Sequence, residues 1–135
     1  MKKLFILSMM LVTVFSLSAQ KKKQQTDLDE KDGVFYLKSD GKKYTGIAYT
    51  YHDSGKKKEE FTYKKGKVAH EILYYDKTGD IEREVNYKKG KRHGAFNAYY
   101  QGKKTRTVGE YKKGDKKGEW IWYNEDGSVK QTKEY

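Results

Sequence analysis

The sequence predicts an all-β protein, an elongated meander of antiparallel β-hairpins following an N-terminal signal peptide. Three observations carry that prediction. Tyr-Lys-Lys-Gly recurs at 63–66, 87–90 and 111–114, a period of 24 residues. Inside it runs a finer comb: Tyr51, Tyr63, Tyr75, Tyr87, Tyr99, Tyr111, Tyr123 and Tyr135 stand twelve apart, eight of the thirteen tyrosines. The chain has 13 glycines and no proline, so every reversal depends on Gly, Asp and Asn turn chemistry. A fixed period of this size marks a repeat architecture, and twelve residues suit one short strand plus one tight turn.

The first segment, residues 1–19, is expected to be a signal peptide. Lys2 and Lys3 form a charged start, and Leu4 to Phe15 is apolar apart from Ser8 and Thr13. Ser16-Leu17-Ser18-Ala19 offers small residues for cleavage after Ala19. As a helix the apolar run covers only about 18 Å, short of a ~30 Å hydrocarbon core. Absence of cysteine excludes a lipidated thiol, disulfides, thiolate metal sites and cysteine nucleophiles. Residues 20–32 follow as a polar spacer, expected to be disordered because Leu28 is the one apolar side chain between 21 and 32.

Residues 33–135 form the repeat domain. Val34-Phe35-Tyr36-Leu37, Asp40-Gly41 and Tyr44-Thr45-Gly46 suggest a shortened capping unit at its start. A full unit then reads as two strands and two turns: Glu71–Tyr75, a turn at Asp76-Lys77-Thr78-Gly79, a return strand Ile81–Lys88, and Lys89-Gly90-Lys91. Turn glycines fall into two sets, Gly55, Gly79, Gly102 and Gly127 on one edge and Gly66, Gly90 and Gly114 on the other. Gly102 comes one place early while Tyr99 and Tyr111 keep their spacing, which predicts a changed turn type without a register slip.

Strand alternation assigns the faces. On the return strands Lys58, Glu60, Thr62, Glu82, Glu84 and Asn86 share a solvated phase, and Phe61, Tyr63, Ile81, Val85 and Tyr87 share the packed one. On the forward strands Ile72, Phe96, Trp120 and Trp122 share one phase; Leu73, Ile121 and the comb tyrosines share the other. Stacked repeats should set comb tyrosines side by side as a ladder, each aromatic pair contributing about 0.2–1 kcal/mol. No unit can bury its apolar face alone, so stability must come from neighbours.

The stretches Tyr87-Lys88-Lys89-Gly90-Lys91-Arg92-His93-Gly94 and Gly118-Glu119-Trp120-Ile121-Trp122-Tyr123-Asn124-Glu125-Asp126-Gly127, with the opening Tyr44-Thr45-Gly46, resemble the MORN repeat variant class. They are most similar to bacterial proteins described as YwqK-family antitoxins. The resemblance spans about residues 33–135. It implies an elongated sheet of consecutive hairpins with a binding or scaffolding role, and, in its antitoxin form, neutralisation of a toxin by direct binding. His70 stands where Gly46, Gly94 and Gly118 stand in other units, and Gly109 where Phe61 and Val85 do, so looser packing is expected at both.

No catalytic constellation is visible. His52, His70 and His93 fall at different places in the repeat, without metal-ligand spacing. Ser39, Ser54 and Ser128 have no His-Asp partners, and Glu59-Glu60 point to opposite faces. The expectation is a non-enzymatic protein with no catalytic residue, no metal and no cofactor.

Charge points to partners. The chain is formally +11, and without Lys2 and Lys3 still holds 28 basic against 19 acidic residues. Such an excess favours anionic partners, while export disfavours nucleic acid. Because the period is constant, Lys64, Lys65, Lys67, Lys88, Lys89, Lys91, Arg92, Lys112, Lys113, Lys116 and Lys117 should line one edge, opposed only by Asp115. The expected partner is a protein or an acidic envelope polymer, in the periplasm or outside the cell. The alternative is an anionic membrane surface, met through this edge with help from Trp120 and Trp122.

Overall fold

The computed structural model describes residues 22–135; the expected signal peptide lies outside them. The main sheet has nine strands. β1 (Lys22–Gln24) runs parallel to β4 (Gly46–Tyr51) at one end. From β4 onward each strand pairs antiparallel with the next: β5 (Lys57–Lys64), β6 (Lys67–Tyr74), β7 (Ile81–Lys88), β8 (Lys91–Tyr99), β9 (Thr105–Lys112), β10 (Asp115–Tyr123) and β11 (Val129–Glu134). A separate hairpin, β2 (Leu28–Lys31) with β3 (Val34–Leu37), lies beside the first strands.

The turns follow the two predicted sets. On the lysine edge, Lys65-Gly66, Lys89-Gly90 and Lys113-Gly114 all have positive φ at both central residues. That is the two-residue turn whose twist matches the twist of the flanking strands. On the far edge the loops are longer: His52 donates its N–H to the Lys56 carbonyl, and Asn124 to that of Ser128. The early Gly102 does change its turn, with positive φ at both Gly102 and Lys103. Tyr99 still pairs with Thr105 as Tyr51 does with Lys57 and Tyr123 with Val129, so no slip occurs there.

A slip occurs at β6 instead. Between β7 and β8 the register passes from Val85–Phe96 to Tyr87–Arg92, so β8 holds two extra residues; β10 likewise bulges between Lys117 and Ile121. Gly94 (φ 95°) and Gly118 (φ 65°) lie in those bulges. In β6 the glycine position is His70, and the register passes from Thr62–His70 to Tyr63–Val68, with one extra residue. A left-handed conformation is costly for histidine, so the wider bulge is not made. Gly46 therefore faces Tyr63 and Gly94 faces Tyr111, but His70 faces Asn86 rather than Tyr87. The far loop absorbs the difference: Tyr75 N–H reaches the Asp80 carbonyl, one residue further than in the neighbouring loops.

Directly paired residues share a face, so one row crosses the inner face as Ala48–Phe61–Glu71–Val85–Phe96–Gly109. Phe61, Tyr63 and Val85 of the return strands and Phe96, Trp120 and Trp122 of the forward strands keep the phases predicted for them, and the pairing puts both sets on that face. Ile72 and Leu73 exchange faces relative to expectation, because a one-residue shift inverts every side chain of a strand. Glu71 thereby enters the buried row.

Two further expectations change. The stretch read as a disordered spacer is built into the fold: Lys22–Gln24 extends the sheet, Gln25–Asp27 makes a 3₁₀ turn, and Leu28–Lys31 pairs with β3. Leu28 is buried with Tyr44, Ala48 and Tyr63, with Phe35, Leu37, Phe61 and Val68 packed around them as a hydrophobic core. One apolar side chain suffices because it closes over a surface already made by the repeats. Nor do the comb tyrosines stack on each other. Teeth 24 apart are two strands apart, about 9–10 Å, and other rings fill the interval: Tyr63 meets Phe35, Tyr44 and Phe61, and Tyr111 meets Phe96 and Trp120. Packing at Gly109 is tight rather than loose, since a Cβ there would lie 2.3 Å from the Trp120 indole.

Candidate functional site: a cationic turn edge

The three lysine turns join β5 to β6, β7 to β8 and β9 to β10, so antiparallel pairing brings them to one edge of the sheet. Each outer turn leans back on a forward strand some twenty residues earlier. Lys65 N–H donates to Thr45 Oγ1 at 2.9 Å and Gly66 N–H to the Tyr44 carbonyl at 2.6 Å. Lys113 N–H points to His93 Nδ1 at 3.4 Å and Gly114 N–H donates to the Arg92 carbonyl at 2.9 Å. For the middle turn the residue corresponding to Thr45 and His93 is Ala69, whose methyl group accepts nothing. Among the described residues Lys89 and Gly90 make no such bond, and a Cβ on Gly90 would meet nothing within 4 Å. The middle turn stands free of its neighbours.

Beside it lies a cavity of about 400 Å³ lined by Lys88, Lys89, Lys91, His93 and Lys113. No carboxylate lines it. The lysines of this edge form no ion pair among the described residues, and Lys64, Lys65, Lys67, Lys88, Lys89, Lys91, Lys112, Lys113 and Lys117 are exposed. Their shared field is that of a surface able to hold an anion and to steer one toward it.

Two predicted members of the edge lie over aromatic rings. Arg92 lies over the Tyr111 ring at 5.4 Å, and its hydrogen bond to Tyr87 raises the guanidinium pKa further. Lys116 lays its ammonium over Trp120, Trp122 and Tyr135, at 4.3, 5.1 and 4.8 Å from the ring centres. Both set the charged head group itself over an aromatic face, Arg92 while still exposed and Lys116 half-buried. Trp120 is buried, and Trp122 lies toward the opposite end of β10, so neither indole stands on the lysine edge.

The far edge differs in kind. Its charges are tied internally: Ser54 Oγ to Asp76, Lys56 Nζ to the Asp76 and Lys77 carbonyls, Lys104 Nζ to the Glu125 carbonyl, and Lys103 to Asp80. The electrical lopsidedness expected from the sequence is present. One buried polar group escaped that reading. The Glu71 carboxylate accepts from Arg83 Nη2 at 3.0 Å and from the Tyr87 hydroxyl at 2.6 Å. Burial, then the bond to Glu71, push the Tyr87 pKa up. Histidine in a glycine column was the one signal for it.

Among the described residues no three His, Cys, Asp or Glu side chains come together to hold a metal ion. His52 contacts the Tyr74 carbonyl and His93 serves its turn. Of the repeat tyrosines Tyr63 is sealed in the core while Tyr51 and Tyr135 are exposed, and of the turn glycines Gly66 admits the β3 backbone, whose Phe35 N–H donates to the Gly66 carbonyl at 2.7 Å.

A single-sheet array of hairpin repeats with one unpaired cationic edge defines a repeat protein of the binding class. The model of the MORN repeat variant family matches residues 44–65, 66–89 and 116–135, so these three stretches are repeats of that type. The interval between the matches, which includes β8 and β9, is built on the same two-strand plan. Such repeats are generally non-catalytic modules that bind proteins or membranes. Comparison with curated proteins finds no match. Among solved structures the chain is similar to one described as "Crystal structure of GtfA/B complex bound to UDP and GlcNAc", at 14% identity and a TM-score of 0.38, covering 80% of this chain and 23% of that one.

Proposed function

We propose that the protein is an exported, non-enzymatic binding module that engages an envelope protein or acidic polymer, in the periplasm or outside the cell, through its lysine edge. The observation that carries this reading is the middle turn: five basic residues around one cavity, with no carboxylate lining it and no ion pair on its lysines. Surface lysines also keep exposed strands from pairing, but that role needs neither a cavity nor their convergence. Lys2, Lys3 and the apolar run after them support export.

Cross-linking in intact cells, with mass spectrometry of the tagged protein, tests the proposal. The expected result is a reproducible envelope partner captured at the edge and lost from a Lys88→Glu/Lys91→Glu variant. Equal capture by that variant would place the interface elsewhere. A toxin in the same compartment, the antitoxin alternative, would be recovered by the same route. Anionic lipid is the other candidate for the edge, but the buried Trp120 gives it no aromatic anchor there. Sedimentation with anionic vesicles at ~50 mM salt, where screening is weak, separates the two: pelleting without a protein partner favours the membrane.

A further inference from the structure

The inner face is covered at its N-terminal end by the β2–β3 hairpin and is bare toward β10. There it holds a trough of about 400 Å³. Ala98 and Thr107 form a floor of small side chains, both buried, and Phe96, Trp120 and Trp122 stand around it. The two indoles have centroids 6.0 Å apart and planes inclined at 35°; Trp120 is buried and backs the half-buried Trp122, which alone offers ring surface to the trough. These are the only tryptophans in the sequence.

Cations edge the trough. Lys116 sits over the two indole rings, Lys130 and Arg106 line the rim, and no carboxylate does. Arg106 is partly answered by Glu82 at 3.8 Å, whereas Lys116 and Lys130 form no ion pair among the described residues. An apolar occupant would leave these charges under cover without a counter-charge, which is costly. A plain polyanion would leave the Trp122 ring unused. The occupant that answers both features carries an apolar ring face and an anionic group together, and Thr107 and Tyr123 on the lining add hydroxyl hydrogen-bonding capacity.

We propose that this trough is a subsite for one ring of an acidic saccharide chain. The C–H face of the sugar lies on the part of the Trp122 ring left accessible, with the buried Trp120 behind it, and its carboxylate or other anionic substituent meets Lys116 and Lys130 in a charge-assisted contact. This rests on the reading of the protein as a binder of acidic envelope polymer and assigns that polymer's chemistry.

Both tryptophans lie in the trough, so intrinsic fluorescence reports on it alone. The test titrates the mature protein with oligogalacturonate, a neutral maltooligosaccharide and polyglutamate, following emission, with capture on immobilised oligogalacturonate measured in parallel. Oligogalacturonate is expected to give a saturable emission change, about fivefold tighter than the neutral chain, the worth of one charge-assisted contact. The change should vanish in Trp122→Ala, weaken in the exposed-site variant Lys130→Glu, and persist in Lys89→Glu on the turn edge. Lys130→Glu keeps the test valid if loss of Trp122 unfolds the last repeat. Capture without any emission change overturns the subsite while leaving the cationic edge as the binder. The same emission change with polyglutamate also overturns it, and absence of capture removes the polymer reading along with it.

Discussion

Glu71 occupies a place in the inner row where the other forward strands put Ala48, Phe96 and Trp120, and it is only 7% exposed. A carboxylate there is tolerable because Arg83 and Tyr87 satisfy it, though Arg83 Nε is left buried without a partner. Replacing Arg83 by Ala should cost about 1–3 kcal/mol, below the figure for a sealed pair because the arginine side chain is 35% exposed. A Glu71→Leu/Arg83→Leu double variant should lose less than the two single changes together, which urea denaturation of all four proteins would show. If the losses add, the pair is not coupled. Tyr63 makes a second prediction. Burial pushes its pKa up to about 12, the bond to Gln25 opposing that shift. The unfolded chain gives up this proton first, near 10, so the contribution is complete below about pH 10 and fades as pH rises toward 12. Tyr63→Phe should show a shallower fall of melting temperature between those values; parallel curves would remove Tyr63 as the cause.

At the scale of elements, the turns that look alike in sequence carry different loads. Gly66 and Gly90 both need positive φ, but a Cβ at Gly66 would also come within 2.6 Å of Val34 and 2.8 Å of the Phe35 carbonyl. Gly90→Val should cost about 1–3 kcal/mol from backbone strain. Gly66→Ala should cost more than Gly90→Ala because overpacking adds to strain, and thermal melts of the two alanine variants decide it. The turns and most strand faces were legible in the sequence because glycine spacing and alternation report directly on backbone conformation. The slip at β6 was not. A bulge one residue short is followed by a loop one residue long, so the twelve-residue comb runs on undisturbed while the pairing beneath it moves. The lysine edge was legible as a set of positions, since stacked turns must coincide. What composition could not say is that Ala69 leaves the middle turn untied, or that Arg92 and Lys116 fold back over rings.

From β4 to β11 each strand contacts the next, and the one crossover of the main sheet, among the described residues, is the β1–β4 parallel pair at its N-terminal end. An array of this kind is held by repeat-to-neighbour terms, and damage at one end should stay near that end. The N-terminal hairpin gives a place to test this. Leu28 is buried against Tyr44, Ala48 and Tyr63, whereas the aromatic cluster of Phe96, Tyr111 and Trp120 is built by strands far from it in the sheet order. Leu28→Asp sets an unpaired carboxylate into the first cluster, a change costing several kcal/mol of local stability unless the hairpin lifts away. Lifting is the expected response, since β2 and β3 pair only with each other among the strands. Hydrogen exchange should then show faster exchange at Phe35, Tyr44 and Gly66, whose amides bond across this junction, with protection in β8 to β10 unchanged. Tryptophan emission should stay as in the parent protein, because both indoles belong to the far cluster. Uniform loss of protection from β4 to β11 would mean that the sheet melts as one cooperative unit, with the hairpin as its keystone instead of a local cover.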